Sequence, residues 1–153
     1  MTQIRKATRS DAPFILEMIK ELALFEKAPE QVTLTLAQLE EDGFGVNPLY
    51  QALIIEDQNK TSVGFCLFYY RYSTWKGKSL YLEDLYIKPA HRGNGAGQFV
   101  MKYLLDHAKA TNCGRFEWQV LDWNEKAIKL YEKMGAELDG SWINCRIEEQ
   151  LNT

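Results

Sequence analysis

Basic residues do not dominate this chain: 18 lysines and arginines stand against 21 aspartates and glutamates, a formal net charge of -3. That balance excludes the long cationic surface on which non-specific nucleic-acid binding depends, and a mild acidic excess instead suits a cationic substrate. No run of 18 or more apolar residues is present, so no conventional membrane-spanning helix is expected. The opening Met1-Thr2-Gln3-Ile4-Arg5 lacks the basic-then-apolar pattern of a signal peptide, and the expectation is a soluble, cytoplasmic protein. Cysteine is scarce and odd in number. Cys66, Cys113 and Cys145 lie far apart with no CxxC pair, which predicts buried free thiols. His91 and His107 have neither a HExxH pattern nor a cysteine at ligand spacing, so no metal is expected. No period of 20 to 50 residues repeats, which excludes a solenoid.

What is present suits one compact domain over residues 1–153, with 46% hydrophobic and 25% charged residues. Ile4 to Ala7 reads as a short strand. Ser10-Asp11-Ala12-Pro13 then offers a helix cap with proline in the first turn. Phe14, Ile15, Met18, Ile19, Leu22 and Phe25 recur at helical spacing, which predicts a helix over about 11–26 with that face in the core. A second, short helical pattern runs through Leu36, Leu39 and Glu40 and stops at Asp42-Gly43-Phe44-Gly45. Residues 49–56, 62–72 and 79–87 are rich in Val, Ile, Leu, Phe and Tyr and read as an antiparallel meander. A helix through Phe99, Val100, Tyr103, Leu104 and Ala108 follows, then a strand from Phe116 to Leu121 and a helix from Glu125 to Met134. A last strand is expected over Ser141 to Glu148, with a short one at Ala136-Glu137-Leu138 before it. The order implies a mixed α/β architecture, a mixed sheet with helices on both faces.

The chemistry is concentrated in Leu80-Tyr81-Leu82-Glu83-Asp84-Leu85-Tyr86-Ile87, which runs through Lys88 to His91 into Arg92-Gly93-Asn94-Gly95-Ala96-Gly97-Gln98. Glycines between a strand and a helix let backbone N–H groups approach a ligand, and the helix N-terminus adds roughly half a positive charge. That geometry binds phosphate. GxxxxGK[ST] is absent and GxGxxG does not fit in register, so neither a P-loop nor a dinucleotide fold is indicated.

Arg92 to Gly97 matches [RQ]xxGx[GA] and resembles the acetyl-CoA pyrophosphate loop of the GNAT acetyltransferases. Trp123-Asn124-Glu125 through Leu130-Tyr131-Glu132-Lys133-Met134-Gly135-Ala136 resembles that family's second cofactor motif. Ile19-Lys20-Glu21-Leu22-Ala23 with Glu26, then Leu39 to Gly45, Tyr81 to Asp84, and Trp123 to Glu125 are similar to the spermidine/spermine (diamine) and thialysine acetyltransferase branch. The resemblance runs from Ile4 to about residue 148. It implies a bent mixed sheet of six to seven strands flanked by about four helices, with a V-shaped slot for the cofactor and a homodimer as the usual assembly.

The resemblance further implies a site. The backbone of Leu85, Tyr86 and Ile87 pairs with acetyl-pantetheine. Arg92, Gly93, Asn94, Gly95, Ala96, Gly97 and Gln98 hold the pyrophosphate, and Asn124 and Lys133 touch the cofactor's far side. Transfer to an amine needs a base for an ammonium of pKa near 10 and an acid for the departing thiolate. Glu83 is the expected base, with Asp84 behind it or at a second amine; strict alternation sends the two side chains to opposite faces. Tyr131, at the family's tyrosine position, is the expected acid. Phe25, Glu26, Trp75 and Glu117 are candidates for the acceptor mouth, Trp75 as an aromatic wall and Glu117 equally as a solvated strand residue. Phe25 stands where polyamine-specific relatives often carry tyrosine, and Glu132 where a basic residue is common. The small-molecule amine therefore stays open between spermidine, a shorter diamine and an aminoalkyl amino acid such as thialysine or lysine. A non-catalytic acetyl-CoA-binding module is the alternative of another class.

Overall fold

A computed structural model describes residues 1–151. They fall into two compact units, Met1–Gln119 and a second beginning at Val120.

The first unit is organised by five strands, β1 Gln3–Lys6, β2 Gln51–Glu56, β3 Ser62–Ser73, β4 Gly77–Ile87 and β5 Arg115–Trp118. They lie in that order in one sheet, β1 to β4 antiparallel and β5 parallel to β4. Ala52, Leu53, Ile54 and Ile55 of β2 are all buried, the signature of a strand covered on both faces. One cover is α1 Ala12–Phe25 with α2 Leu36–Phe44. Ile15 and Met18 of α1 and Leu39 of α2 pack with Ala52, Ile54, Phe65, Leu67 and Tyr86. The other is α3 Ala96–Ala110, whose His107 Nε2 meets the Tyr70 hydroxyl at 2.8 Å and whose imidazole lies edge-on to Phe68. Along β3, Phe65, Leu67 and Tyr69 thus face α1, whereas Phe68 and Tyr70 face α3, the ordinary alternation of a strand.

Local chemistry fixes the helix starts. Asp11 accepts from the Thr8 backbone N–H at 2.8 Å and from both Arg5 terminal nitrogens, while Arg5 Nε reaches Glu56 at 2.9 Å. The Arg5 hydrogen bonds hold the Asp11 carboxyl below the ordinary range. Pro13 follows in the first turn, where its missing N–H costs nothing. At α2, Thr35 Oγ1 accepts from the Gln38 N–H and the Gln38 side chain accepts from the Thr35 N–H, a reciprocal capping box.

The second unit contains α4 Glu125–Lys133. The Asn124 side chain accepts from the Ala127 N–H at its start. At its end Gly135 takes φ 88°, with Gly135 N–H bonded to Glu132 O and Ala136 N–H to Tyr131 O, a Schellman closure.

Two sequence expectations need correction. Neither Ala136 to Leu138 nor Ser141 to Glu148 forms a strand, so the sheet has five strands among the described residues rather than six or seven. Alternation in Ile143-Asn144-Cys145-Arg146-Ile147 supplies the pattern of a strand. A strand also needs a backbone ladder, and none is assigned over residues 141–148 of the described chain. The expected strand from Phe116 to Leu121 likewise stops at Trp118. Of the three free thiols only Cys66 is buried, and burial pushes it up to about 12; Cys113 is intermediate and Cys145 exposed. No helix among the described residues is long and apolar enough to cross a membrane.

The α1-side core depends on Phe65, which is fully buried on β3. Phe65→Ala is expected to lower unfolding free energy by about 3–5 kcal/mol in a urea titration followed by circular dichroism; a loss under about 1 kcal/mol contradicts the packing described.

Candidate active site

The chemistry of β4 follows from its two neighbours. β3 pairs with it up to Ile87, whereas β5 pairs only over Ser79–Leu82, opposite Arg115–Trp118. Among the described residues, the backbone from Glu83 to Ile87 therefore has a sheet neighbour on one side only. Such a backbone offers hydrogen bonds to an extended ligand as it would to another strand. Leu85, Tyr86 and Ile87 lie in this stretch.

The turn after β4 carries Gly93 and Gly95 at φ 81° and 83°, and a Cβ at either would meet nothing within 4 Å. The glycines are there for backbone conformation, and the space beside them is open. Asn94 Oδ1 accepts from the Ala96 N–H at 3.2 Å, and Gly95 caps α3. The first-turn N–H groups of Gly97 and Gln98 lack intrahelical acceptors, and the helix end adds its partial positive charge. The residues present fit a diphosphate-bearing ligand such as a coenzyme A ester.

The β3–β4 register slips between Leu67 and Phe68. Leu67 pairs with Asp84 and Phe68 with Leu82, which leaves Glu83 as the extra residue of a β-bulge. Because Leu67 belongs to the α1-side core, Asp84 lies on that face, as does Tyr86 opposite Phe65. The Tyr69 hydroxyl, on the same face of β3, donates to Glu83 Oε2 at 3.3 Å, and the Tyr69 and Tyr81 rings lie 5.4 Å apart. The expected alternation of Glu83 and Asp84 onto opposite faces is overturned: the bulge cancels one step of it, and both carboxyls turn toward the α1 side.

Burial, then Glu83, then Glu26 push the Asp84 carboxyl up to about 7. Glu26, at the C-terminal cap of α1, is itself raised by desolvation. Three carboxyls from β4 and the end of α1 thus share one neighbourhood. Such a group attracts an ammonium and has a member that exchanges its proton near neutral pH.

The other expected residues have surroundings of their own. Glu117 of β5 is neutralised by Arg71 at 3.3 Å and Arg115 at 3.2 Å, and accepts from Ser79 Oγ at 2.8 Å. Arg71 also lies over the Tyr81 ring, 4.4 Å from its centroid. Trp75 sits in the β3–β4 turn, its N–H bonded to Ser73 Oγ. Glu83 lies six residue steps along β4 from Gly77, roughly 20 Å, so Trp75 sits at the far end of that strand from the carboxyls. Arg92 donates from Nε to Ile87 O at 2.6 Å, and its guanidinium lies 5.0 Å from the Tyr86 ring and 5.8 Å from the Phe25 ring. Its side chain is on the α1 side of β4. In the second unit, Asn124 caps α4, Lys133 is exposed in its last turn, and burial raises the Tyr131 phenol. Sequence reasoning missed Tyr69, Tyr81, Arg71 and Glu21. Their roles come from cross-strand register and helix packing, and the aromatics alone read as core.

With this geometry in place, comparison with known proteins defines the class. The profile of the Acetyltransferase (GNAT) family matches residues 14–136, and the chain belongs to that family. It is a GNAT-type N-acetyltransferase. A mouse thialysine N-epsilon-acetyltransferase is 42% identical over 96% of this chain and 92% of its own length. The human spermidine/spermine N(1)-acetyltransferase-like protein 1 is 44% identical over 88% of this chain, a match spanning 20% of that protein. The resemblance to the diamine and thialysine branch is thereby supported. A solved structure of a predicted acetyltransferase with acetyl-CoA from Clostridium acetobutylicum superposes with a TM-score of 0.75 at 19% identity, over 95% of this chain and 96% of that one, and shows the shared fold.

Asp84 also gives the protein a pH signature. Its carboxyl moves from the ordinary 3.8 to about 7, so the native state keeps a proton that the unfolded chain has released. More protons bound in the native state means stability falls as pH rises through that window. Asp84→Asn should flatten this decline between about pH 4 and about pH 7, measured as urea midpoints across pH. Parallel curves for variant and wild type contradict the assignment.

Proposed function

We propose that the protein transfers an acetyl group from acetyl-CoA to a terminal primary amine of a small, diamine-like substrate, a class that includes polyamines, by direct attack within a ternary complex. The observation that carries this reading is the placing of Glu26, Glu83 and Asp84 beside a half-paired strand that runs into a glycine-lined helix start. An aminoalkyl amino acid such as thialysine, itself a diamine, is the second reading, favoured by the mouse relative's name and by Phe25.

The substrate arrives as an ammonium and must lose a proton before its lone pair attacks. Glu83 and Asp84, close enough to titrate as a pair, take that proton directly or through water, with Glu83 assigned to the amine that reacts. Glu26 and Asp84 hold the second cationic group. Backbone N–H groups near Leu85 stabilise the charge developing on the carbonyl oxygen. Gly93 to Gln98 hold the pyrophosphate, and by the motif it occupies Asn124 with Lys133 contributes to the cofactor. Tyr131, assigned on the same ground, protonates the departing thiolate. A homodimer is the assembly we propose, since Ile143 and Ile147 are 87% and 64% exposed in a strand-patterned segment that a second copy can pair.

A thiol-release assay with acetyl-CoA against spermidine, spermine, putrescine, thialysine, lysine and a histone-tail peptide tests the reading. Turnover of small diamine-like acceptors is expected; activity on the peptide alone overturns it. Tyr131→Phe should reduce turnover about 10- to 10,000-fold while acetyl-CoA binding changes little. Near-normal turnover removes Tyr131 as the acid. Glu83→Gln should impair use of the amine and alter the pH–rate profile, and an unchanged profile rejects Glu83 as base.

A further inference from the structure

Glu83, the extra residue of the β4 bulge, has no register partner on β3, yet its side chain is held from that strand. The Tyr69 hydroxyl donates to Glu83 Oε2 at 3.3 Å, crossing the bulge diagonally, since Tyr69 itself pairs with Tyr81. Tyr69 is in turn held by its ring, whose centroid lies 5.4 Å from that of Tyr81. The Arg71 guanidinium lies 4.4 Å from the Tyr81 centroid and is tied to Glu117 at 3.3 Å. A chain of contacts thus runs from β5 through β3 and β4 to one oxygen of Glu83. Burial, then Glu83 and Tyr81, push the Tyr69 phenol up to about 12, so at neutral pH it keeps its proton and serves Glu83 as a donor. The neighbouring Asp84 receives no side-chain hydrogen bond among the described residues.

We propose that Tyr69 is the positioning residue of the proton-accepting carboxylate: its hydroxyl holds Glu83 oriented and ionised, and leaves the proton of the acidic pair on Asp84. The inference rests on the acetyltransferase reading above and deepens it by naming what sets Glu83 apart from Asp84. Two adjacent carboxyls that share a proton divide it according to their surroundings. A donor favours the charged form, whereas burial favours the neutral one, and the structure gives the donor to Glu83 and the burial to Asp84. In the first unit the titratable and charged groups around Glu83 are Tyr69 and Arg71 of β3, Tyr81 and Asp84 of β4 and Glu26 of α1. Glu117 of β5 lies beyond Tyr81 and is already paired with Arg71 and Arg115. With Tyr69 on Oε2, Oε1 is left for the acceptor. In the transfer an ammonium N–H bond breaks, an O–H bond forms on Glu83, directly or through water, and the electron pair stays on nitrogen for the attack.

The test is a double-mutant cycle of wild type, Tyr69→Phe, Glu83→Gln and the double variant, with the pH dependence of kcat/KM measured on the best acceptor of the panel above. Tyr69→Phe keeps the ring against Tyr81 and removes only the hydroxyl. It is expected to lower kcat/KM about 3- to 10-fold, the worth of one hydrogen bond, with KM for acetyl-CoA unchanged. Without the donor the pair holds its proton more tightly, so the acid limb of the profile should move to higher pH by about 0.5 to 1 unit. In the Glu83→Gln background the same substitution should cost less than about 2-fold, since Tyr69 acts through Glu83. An acid limb that stays in place in Tyr69→Phe, or an equal loss in both backgrounds, overturns the assignment and leaves the acetyltransferase reading intact. Should the wild type turn over no acceptor, that reading fails by itself, and carbon-detected NMR titration of the carboxyls still decides the role of Tyr69. An upward move of the pair's first titration step in Tyr69→Phe supports it, and coincident titration curves overturn it.

Discussion

From Glu83 onward β4 is hydrogen-bonded on its β3 side and, among the described residues, has no strand paired on its β5 side, and most of what is distinctive in the first unit depends on that asymmetry. β3 keeps the strand rigid, so its free edge is presented without the mobility of a loop. The parallel pairing with β5 holds only as far as Leu82, where the interactions around Glu117 tie β5 to β3 and β4 through Arg71 and Ser79. A half-buried carboxylate on a short, four-residue strand would be a liability alone; two guanidiniums and a hydroxyl offset it close to where the pairing ends. Glu117, a candidate for the acceptor mouth from sequence, thus has a clear structural occupation at the point where the edge opens.

The bulge at Glu83 is the second consequence of β4's position. In a regular strand one of two adjacent carboxyls would face α3, against the packing formed by Val100, Met101 and Leu104, where an unpartnered charge is costly. The extra residue avoids that burial and concentrates both acids on one side. Tyr69 hydrogen-bonds one of them, and burial, with the repulsion that remains, raises the Asp84 carboxyl. A sequence reading that relies on period-two alternation has no means of seeing this, because no glycine marks the bulge and its position is set by the pairing with Leu67 and Phe68 on β3.

Elements with strong local causes were legible. The α1 stripe from Phe14 to Phe25, the short helical pattern through Leu36 and Leu39 and the glycine-rich turn are each encoded within a few residues, and their bounds agree with the structure to within a residue or two. What depends on a distant partner was not. Tyr69 and Tyr81 meet through register, and Glu21 and Tyr86 through helix-on-sheet packing. Ser141 to Glu148 shows the limit from the other direction, since its alternating pattern specifies a strand but not the edge it must join.

Electrostatics links these features to catalysis. An amine acceptor is cationic in water and must be neutral when it attacks, so a site for it has to attract positive charge and then accept a proton at little free-energy difference. Three fully ionised, solvated carboxylates would do the first and not the second. Three buried, mutually repelling carboxyls without a cation would hold protons too firmly to attract anything. Asp84, partly buried and raised to about 7, lies between those extremes, while Glu117 is kept out of the balance by Arg71 and Arg115. On the proposed function, the entry of an ammonium would lower the Asp84 carboxyl by supplying the missing countercharge, and loss of the substrate's proton would raise it again. The acidic group would then be tuned by the substrate itself, which ties the placing of charge along β4 to the proposed reaction.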